Sequence, residues 1–375
     1  MQFTVFGAGL MGRYIVNDLT SQLDASVTWI DRSQEALQQG AMSLSSRDRV
    51  TLIEAAITPE SRFIEHIKPG SVAIGASSYE HHLQLTKDAL TAGAHWLDLG
   101  GNNDVVQAQR ALSEEAQRAG LRMIPDCGLA PGMVSVLGWD LHERCPEADS
   151  IELRVGGLPA QPKNRLGYQL VFSARGLLNE YREPCTVLRN GALMTVDPMT
   201  ELESLSLDAR FAELEAFTTS GGISTLAESL KGRVDHADYK TIRYPGHAGV
   251  IATMMELGFF SDKPVGPNGL RAFDVSANLL EDALASNDPD VVILIARAKK
   301  GDVVVSEWKS VIDADQEWTA MQKSTGASAA VVAELIAKGR VSKAGVLTQE
   351  ESLPAQDYVA GLARRGVDLE FSKHF

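Results

Sequence analysis

Over the first 125 residues, short apolar runs alternate with amphipathic stretches. Phe3-Thr-Val-Phe6 reads as a strand, and Tyr14-Ile-Val-Asn-Asp-Leu19 as the helix after it. Ala25-Ser-Val-Thr-Trp-Ile30 reads as the next strand, and residues 50–56 and 71–75 as short, β-branched buried ones. Between the last two, residues 59–67 are expected to form a helix that ends before Pro69-Gly70. Helices are expected at 82–92, closed by Gly93, and at 104–119, closed by Gly120, with strands at 95–99 and 121–125. Such βα alternation implies a parallel sheet with right-handed crossovers, with ligand-binding loops at the carboxyl ends of its strands. Those loops are Ala76-Ser77-Ser78-Tyr79, Gly100-Gly-Asn-Asn-Asp104 and Asp126-Cys127-Gly128.

Beyond about residue 150 the period changes. Ile151-Glu-Leu-Arg-Val155 alternates, as do the two arms of residues 185–196, joined by Asn190-Gly191, a type I′ hairpin signal. Further strands are expected at 215–219, 239–243, 291–298 and 303–313, and helices return at 328–338 and 353–365. The expected fold is α/β: a Rossmann-type doubly wound parallel sheet plus a second α+β domain with a mixed or antiparallel sheet.

The first turn carries chemistry. Gly7-Ala8-Gly9-Leu10-Met11-Gly12 lies between a strand and a helix, which makes it a dinucleotide-binding candidate. Gly7 allows a tight turn, Gly9 lets backbone approach a pyrophosphate, and Gly12 lets helix and strand pack closely. The pyrophosphate would sit on the free N–H groups at the helix start, including those of Leu10 and Met11. Asp31, at the end of the second strand, suits an adenine-ribose 2′-hydroxyl and argues for NAD, while Arg32 keeps NADP possible. Ser77 and Ser78 join the expected cofactor contacts.

Composition narrows the partners. The 375 residues suit two domains, and 44% apolar with 22% charged residues describe a globular chain. A formal charge of −14 disfavours nucleic acid and anionic membranes. No apolar stretch approaches a membrane span, and the first strand begins at residue 2, so a cytoplasmic setting is expected. Three cysteines, Cys127, Cys145 and Cys185, form no C-x-x-C, and no metal site is expected. Chains of this size and fold commonly associate, so a homodimer or tetramer is expected.

Four stretches then stand out: Asp98-Leu-Gly-Gly-Asn-Asn-Asp104, Pro125-Asp-Cys-Gly-Leu-Ala-Pro-Gly132, Glu215-Ala-Phe-Thr-Thr-Ser-Gly-Gly222 and Tyr239-Lys-Thr-Ile-Arg-Tyr-Pro-Gly-His247. Together they resemble the saccharopine reductase-like dehydrogenases, and more narrowly the L-lysine 6-dehydrogenases. The resemblance implies NAD(P)-dependent oxidation at a carbon bearing nitrogen. It also implies a discontinuous dinucleotide domain, residues 1–128 with about 340–375, around a catalytic and oligomerisation domain at 129–339. The leading expectation is oxidative deamination of the ε-amino group of L-lysine, giving a semialdehyde that cyclises. The alternative is a saccharopine dehydrogenase acting on a secondary amine, for which Arg165 and Arg175 would serve additional carboxylates. A catalytically silent NAD-binding sensor is a third reading, and short diamines also fit the substrate class.

Candidate residues follow from that chemistry. An amino-acid carboxylate needs an arginine, and Arg243 ends a strand before the Tyr244-Pro245-Gly246 turn, with Arg154 in reserve. Asp126 could hold an ammonium and relay its proton, or cap the turn that follows. Asp104 carries the same two readings. His247 is the natural general base. Cys127 reads as packing.

Overall fold

The computed structural model describes residues 1–374. In chain order the first elements are β1 (Gln2–Phe6), α1 (Leu10–Gln22), β2 (Ser26–Asp31), α2 (Gln34–Met42), β3 (Val50–Glu54), β4 (Val72–Gly75), α3 (His82–Ala92), β5 (His95–Asp98), α4 (Asn103–Arg110), α5 (Ser113–Arg118) and β6 (Arg122–Ile124). Then come α6 (Met133–Arg144), β7 (Ser150–Pro159), α7 (Ala174–Arg182), β8 (Cys185–Arg189), β9 (Ala192–Val196), β10 (Glu203–Leu205), β11 (Leu214–Thr218), α8 (Leu226–Ser229), β12 (His236–Arg243) and α9 (His247–Glu256). The remainder is β13 (Pro264–Val265), β14 (Leu270–Arg271), α10 (Ala272–Leu284), β15 (Asp290–Lys300), β16 (Val303–Asp313), α11 (Ala320–Ala337), β17 (Gly345–Val346), α12 (Gln349–Ser352), α13 (Ala355–Ala363) and β18 (Glu370–Lys373).

Two units result. The first comprises Met1–Asp140 and Gln322–Leu369; the second comprises Leu141–Met321 and the residues from Glu370 on. The borders differ from the expected 128/129 and 339/340. Most of α6 and nearly all of α11 belong to the first unit, and the last strand, β18, pairs with β16 in the second.

The first unit is a parallel sheet of order β17-β6-β5-β4-β1-β2-β3, the doubly wound arrangement with its switch point between β1 and β4. Its strands are short and apolar because both faces are buried: Val5, Phe6, Ile30, Ala73, Ile74, Trp96 and Met123 are all nearly inaccessible. The tail enters this sheet, β17 pairing with β6 through Gly345 opposite Arg122. Arg365 secures it, reaching Asp18 on α1 at 2.8 Å and Glu334 on α11 at 2.9 Å.

Three helix expectations changed. Residues 59–67 form turns and one short 3₁₀ segment, because side chains capture the backbone first. Ser61 bonds Thr58 N and Ala56 O, and Asp88 accepts Phe63 N at 3.0 Å. The helix expected over 104–119 is two, α4 and α5, broken at Ala111-Leu112. The helix expected at 328–338 starts at Ala320, where Asp290 of β15 accepts the N–H groups of Ala320 and Met321.

The second unit is built on a nine-stranded mixed sheet of order β10-β11-β12-β7-β15-β16-β18, with β8 and β9 hung from β12. Only β12 and β7 run parallel; the other pairs are antiparallel. The β8–β9 hairpin turns at Asn190 (φ 51°) and Gly191 (φ 72°), the two positive angles that a type I′ turn demands. Helices α7, α9 and α10 bury Leu177, Leu178, Ile251 and Phe273 in a core that also holds Tyr168, Tyr181 and Phe217.

Candidate active site

In the first unit, the glycine turn has the shape its sequence implies. Gly7 sits at φ +112°, and a Cβ there would lie 2.5 Å from Ala76 O. A Cβ on Gly12 would lie 2.0 Å from Gly7 O, so strand and helix touch through backbone. Gly9, by contrast, faces open space and caps α1 with no side chain to take its first amides. Exposed Leu10 and half-buried Met11 follow it. The half-buried Asp31 carboxylate accepts Ala8 N at 2.7 Å and Ser33 N at 2.8 Å, so it shapes the loop. Each of its oxygens keeps a further lone pair for a ribose hydroxyl. Arg32 is exposed. After β4, the buried Ser77 hydroxyl has no hydrogen-bond partner among the described residues, while Ser78 is exposed. An open amide end, a glycine facing empty space and an orphaned hydroxyl fit a dinucleotide.

Asp98 organises the neighbouring loops, and sequence reasoning passed over it. It is fully buried at the end of β5; one oxygen accepts Gly100 N at 2.8 Å and Asp126 N at 3.2 Å. The other accepts Trp96 Nε1 and Gln109 Nε2. Burial alone would raise this carboxyl, but His82 beside it and the bonds from Gln109 and Trp96 hold it at about 2. Asp126 is itself buried and takes a left-handed backbone, φ 62°, sparsely populated for a residue with a side chain. Gly100 is required there, since its Cβ would fall 2.0 Å from Asp126 Oδ1. Asp104 is not the cap of α4. Asn102 is, accepting Val105 N at 3.1 Å, and Asp104 is exposed in the first helical turn, where its charge complements the helix dipole. Burial pushes the Cys127 thiol well up, which suits packing.

In the second unit, Glu215 and Arg243 sit opposite each other on β11 and β12. Glu215 accepts Gly246 N at 2.9 Å and Ala248 N at 2.7 Å, capping α9 from another strand. That carboxylate ties two of the recognisable sequence stretches into one piece and fixes where His247 begins its helix.

His247 does not stand free as a base. Its Nδ1–H donates to Leu166 O at 2.9 Å, so Nε2 accepts from the Tyr181 hydroxyl at 2.9 Å. Burial, then the charge of Arg243, push it down to about 3, and it stacks on Phe217. Tyr181 in turn accepts Arg243 Nε at 3.1 Å, and burial pushes its phenol up to about 12. The relay Arg243–Tyr181–His247–Leu166 is fully directional. Its product is a fixed guanidinium.

Four Lys and Arg side chains are buried among the described residues: Arg154, Lys240, Arg243 and Arg365. Arg154 pairs with Glu203 and Asp238, Lys240 with Glu203, and Arg365 with Asp18 and Glu334. This removes Arg154 as a reserve clamp. Arg243 makes no ion pair among the described residues, though the charge of Glu180 bears on it; it bonds Tyr181 and Ile242 O and lies 4.7 Å from the Tyr168 ring centroid. Arg165 is exposed, and Arg175 is exposed and paired with Asp274. Among the described residues no cluster of His, Cys, Asp and Glu could hold a metal, and no helix is long and apolar enough to cross a membrane.

Comparison with known proteins agrees with this division of labour. Residues 3–124 match the model of the saccharopine dehydrogenase NADP binding domain, and residues 128–367 that of the saccharopine dehydrogenase C-terminal domain. The chain is 23% identical over 302 residues to the NADP(+), L-glutamate-forming saccharopine dehydrogenase of Saccharomyces cerevisiae, covering 76% of this chain and 66% of that one. It is 27% identical over 180 residues to the mitochondrial alpha-aminoadipic semialdehyde synthase of Bos taurus, covering 42% of this chain and 18% of that one. It thus spans about two thirds of the first relative and a fifth or less of the second. None of the relatives named here is an L-lysine 6-dehydrogenase. Among solved structures, apo saccharopine dehydrogenase (L-Glu forming) from S. cerevisiae superposes with a TM-score of 0.81 at 17% identity, covering 100% of both chains. A homospermidine synthase from Legionella pneumophila, in complex with NAD, gives 0.71 at 12% identity, covering 100% of this chain and 91% of that one. With both domain models met in order along one chain, and the yeast fold reproduced, the chain belongs to the saccharopine dehydrogenase family.

Proposed function

We propose that the protein is a nicotinamide-dependent oxidoreductase that acts on a C–N bond of an amino-acid-derived amine, with Arg243 receiving a substrate carboxylate. The unpaired burial of Arg243 carries this reading. A guanidinium taken out of water without a carboxylate in contact is unfavourable by several kcal/mol, and a bidentate carboxylate relieves it. Tyr181 and His247 act on Arg243 by holding its orientation.

The first unit would hold the cofactor. The amides after Gly9 suit its pyrophosphate, Asp31 its ribose, and the Ser77 and Ser78 loop its remaining polar edge. Asp31 favours NAD, because a 2′-phosphate beside a carboxylate is repelled. When bound, the nicotinamide accepts the hydride. Asp126, a buried carboxylate held in an uncommon backbone conformation, is our choice for taking the amine proton. Asp104, exposed and on a helix start, has no part in the chemistry.

Saccharopine, a secondary amine, is the substrate reading that the relatives support better. Deamination of the ε-amine of L-lysine is favoured by one observation: Arg243 alone among the buried cations is free of an acidic partner, which matches one carboxylate rather than three. Reduced-nicotinamide absorbance, followed with saccharopine and L-lysine in parallel and with NAD⁺ and NADP⁺ each, separates them. Turnover of saccharopine alone selects the first, turnover of L-lysine alone the second, and no turnover of either refutes both.

A further inference from the structure

The loop after β4 is held at a carbonyl and left open at a hydroxyl. His82, buried at the start of α3, turns its ring back on the segment before it, with Nε2 3.2 Å from Ser77 O. Its Nδ1 lies 3.4 Å from Asp98 Oδ1, the oxygen that also accepts Gly100 N and Asp126 N. A carbonyl and a carboxylate only accept, so the ring serves both as a donor. The ring stands edge-on to Trp96, centroids 6.2 Å apart, which restricts its rotation. On its other side Ser77 meets the glycine turn: a Cβ on Gly7 would lie 3.0 Å from Ser77 N. The Ser77 backbone is thus pinned between that turn and α3, while its own buried hydroxyl has no hydrogen-bond partner among the described residues.

We propose that His82 is a positioning residue of the cofactor site: anchored on Asp98, it holds the Ser77 carbonyl and so presents the Ser77 hydroxyl to a bound nicotinamide dinucleotide. The inference rests on the reading of Ser77 as a cofactor contact and adds what orients it. Topology supports it first. β4 neighbours β1 where the strand order reverses, so the loop after β4 borders the crevice in which dinucleotides bind. Local geometry supports it next. A 3₁₀ turn at Tyr79–His81, with His81 N bonded to Ser78 O at 3.0 Å, brings the His82 ring back over Ser77. Asp98 reaches the loops after β5 and β6 directly, and His82 extends that hold to the loop after β4. The hydroxyl left over is the part that a ligand can satisfy, since a buried hydroxyl without a partner is unfavourable until one is supplied.

Two amide side chains separate the two contacts of the ring. A glutamine nitrogen falls near the place of Nε2 and an asparagine nitrogen near that of Nδ1. His82→Gln therefore keeps the donor to Ser77, and His82→Asn keeps the donor to Asp98. Calorimetric titration of the full chain with NADH and with NADPH, in the absence of substrate, gives the affinities, and the tighter ligand is carried through the variants. His82→Asn is expected to weaken it by about ten-fold, and His82→Gln to stay within about two-fold of wild type. Thermal unfolding should rank the two in the opposite order, because asparagine spares the contact to the buried carboxylate. Ser77→Ala should itself weaken the dinucleotide by about three- to ten-fold. Combined with His82→Asn, it should be no more than about two-fold worse than the worse single variant, because both act at one contact. Equal losses in the two amide variants, no loss in His82→Asn, the same ranking in both measurements, or losses that multiply in the double variant overturn the proposal. Ser77→Ala separates this from the underlying reading: if it binds as wild type does, the Ser77 contact itself is wrong. If it weakens binding while His82→Asn does not, the contact stands and the role of His82 falls.

Discussion

Replacing Arg243 by methionine should separate a binding arginine from a structural one, with Arg154→Met as the control. Both guanidinium groups are buried on the same sheet, but their surroundings differ. Arg154 lies between Glu203 and Asp238, so its removal leaves two carboxylates short of a cation. Breaking such a buried pair costs about 3–5 kcal/mol, and the lower end applies because Lys240 still reaches Glu203 and Arg189 still reaches Asp238. Arg243→Met loses a cation–π contact worth about 1–2 kcal/mol and two hydrogen bonds worth about 1.5–3 kcal/mol each. It also removes a desolvated, unpaired charge whose burial opposes folding by several kcal/mol. These terms nearly cancel, so stability should change by no more than about 1–2 kcal/mol. Binding should change more: losing the clamp removes about 2–4 kcal/mol from a carboxylate substrate, roughly 30- to 1,000-fold in kcat/KM. Urea unfolding of both variants and steady-state kinetics of Arg243→Met supply the numbers. If Arg243→Met unfolds as readily as Arg154→Met, Arg243 is a structural residue and the reasoning fails.

Asp31→Ala should weaken NAD⁺ and narrow its advantage over NADP⁺, measured as the ratio of the two KM values; a wild-type preference for NADP⁺ would contradict the role given to Asp31. Glu215→Gln keeps the size of the cap but loses its charge, and should lower stability by about 1 kcal/mol while raising KM, because the start of α9 loosens beneath His247; an unaltered KM would show that the cap does not serve the site. Asp98 has its folded pKa depressed to about 2, below the unfolded value of 3.8. The stability it contributes is therefore complete above about pH 4 and lost as pH falls toward 2, and Asp98→Asn should flatten that part of a urea-midpoint profile.

The parts of the fold legible in the sequence are those whose causes are local. The Gly7–Gly12 turn, Asp31 at a strand end and the Asn190-Gly191 hairpin each depend on a few adjacent residues. The errors have distant causes. Residues 59–67 have an acceptable helical pattern, but Asp88 takes the N–H of Phe63 from 25 positions away. The start of α11 depends on Asp290, 30 positions upstream of Ala320. The two site arginines show the same limit. Arg154 and Arg243 both occupy strand positions, and only the fold brings Glu203 and Asp238 into ion pairs with the first and none with the second among the described residues. His247 stood out in its sequence stretch, but not as a hydrogen-bond acceptor for Tyr181, 66 positions earlier. Asp98 could have been noticed, since an acid closing an apolar strand before Gly100-Gly101 suits a loop anchor.

The tail's attachment to α1 has a consequence for synthesis. Asp18 and Arg365 are 347 positions apart, yet they bond in the interior of one unit. At about 5–20 residues per second, a ribosome needs roughly 20–70 s to pass from one to the other. Throughout that interval the nascent first unit lacks β17, α13 and the cation that Asp18 requires, while all of the second unit except β18 emerges. The nucleotide-binding half therefore starts to emerge before the second unit and is completed only after nearly all of that unit has emerged, and a chaperone that shields its open sheet edge would act on it during this wait.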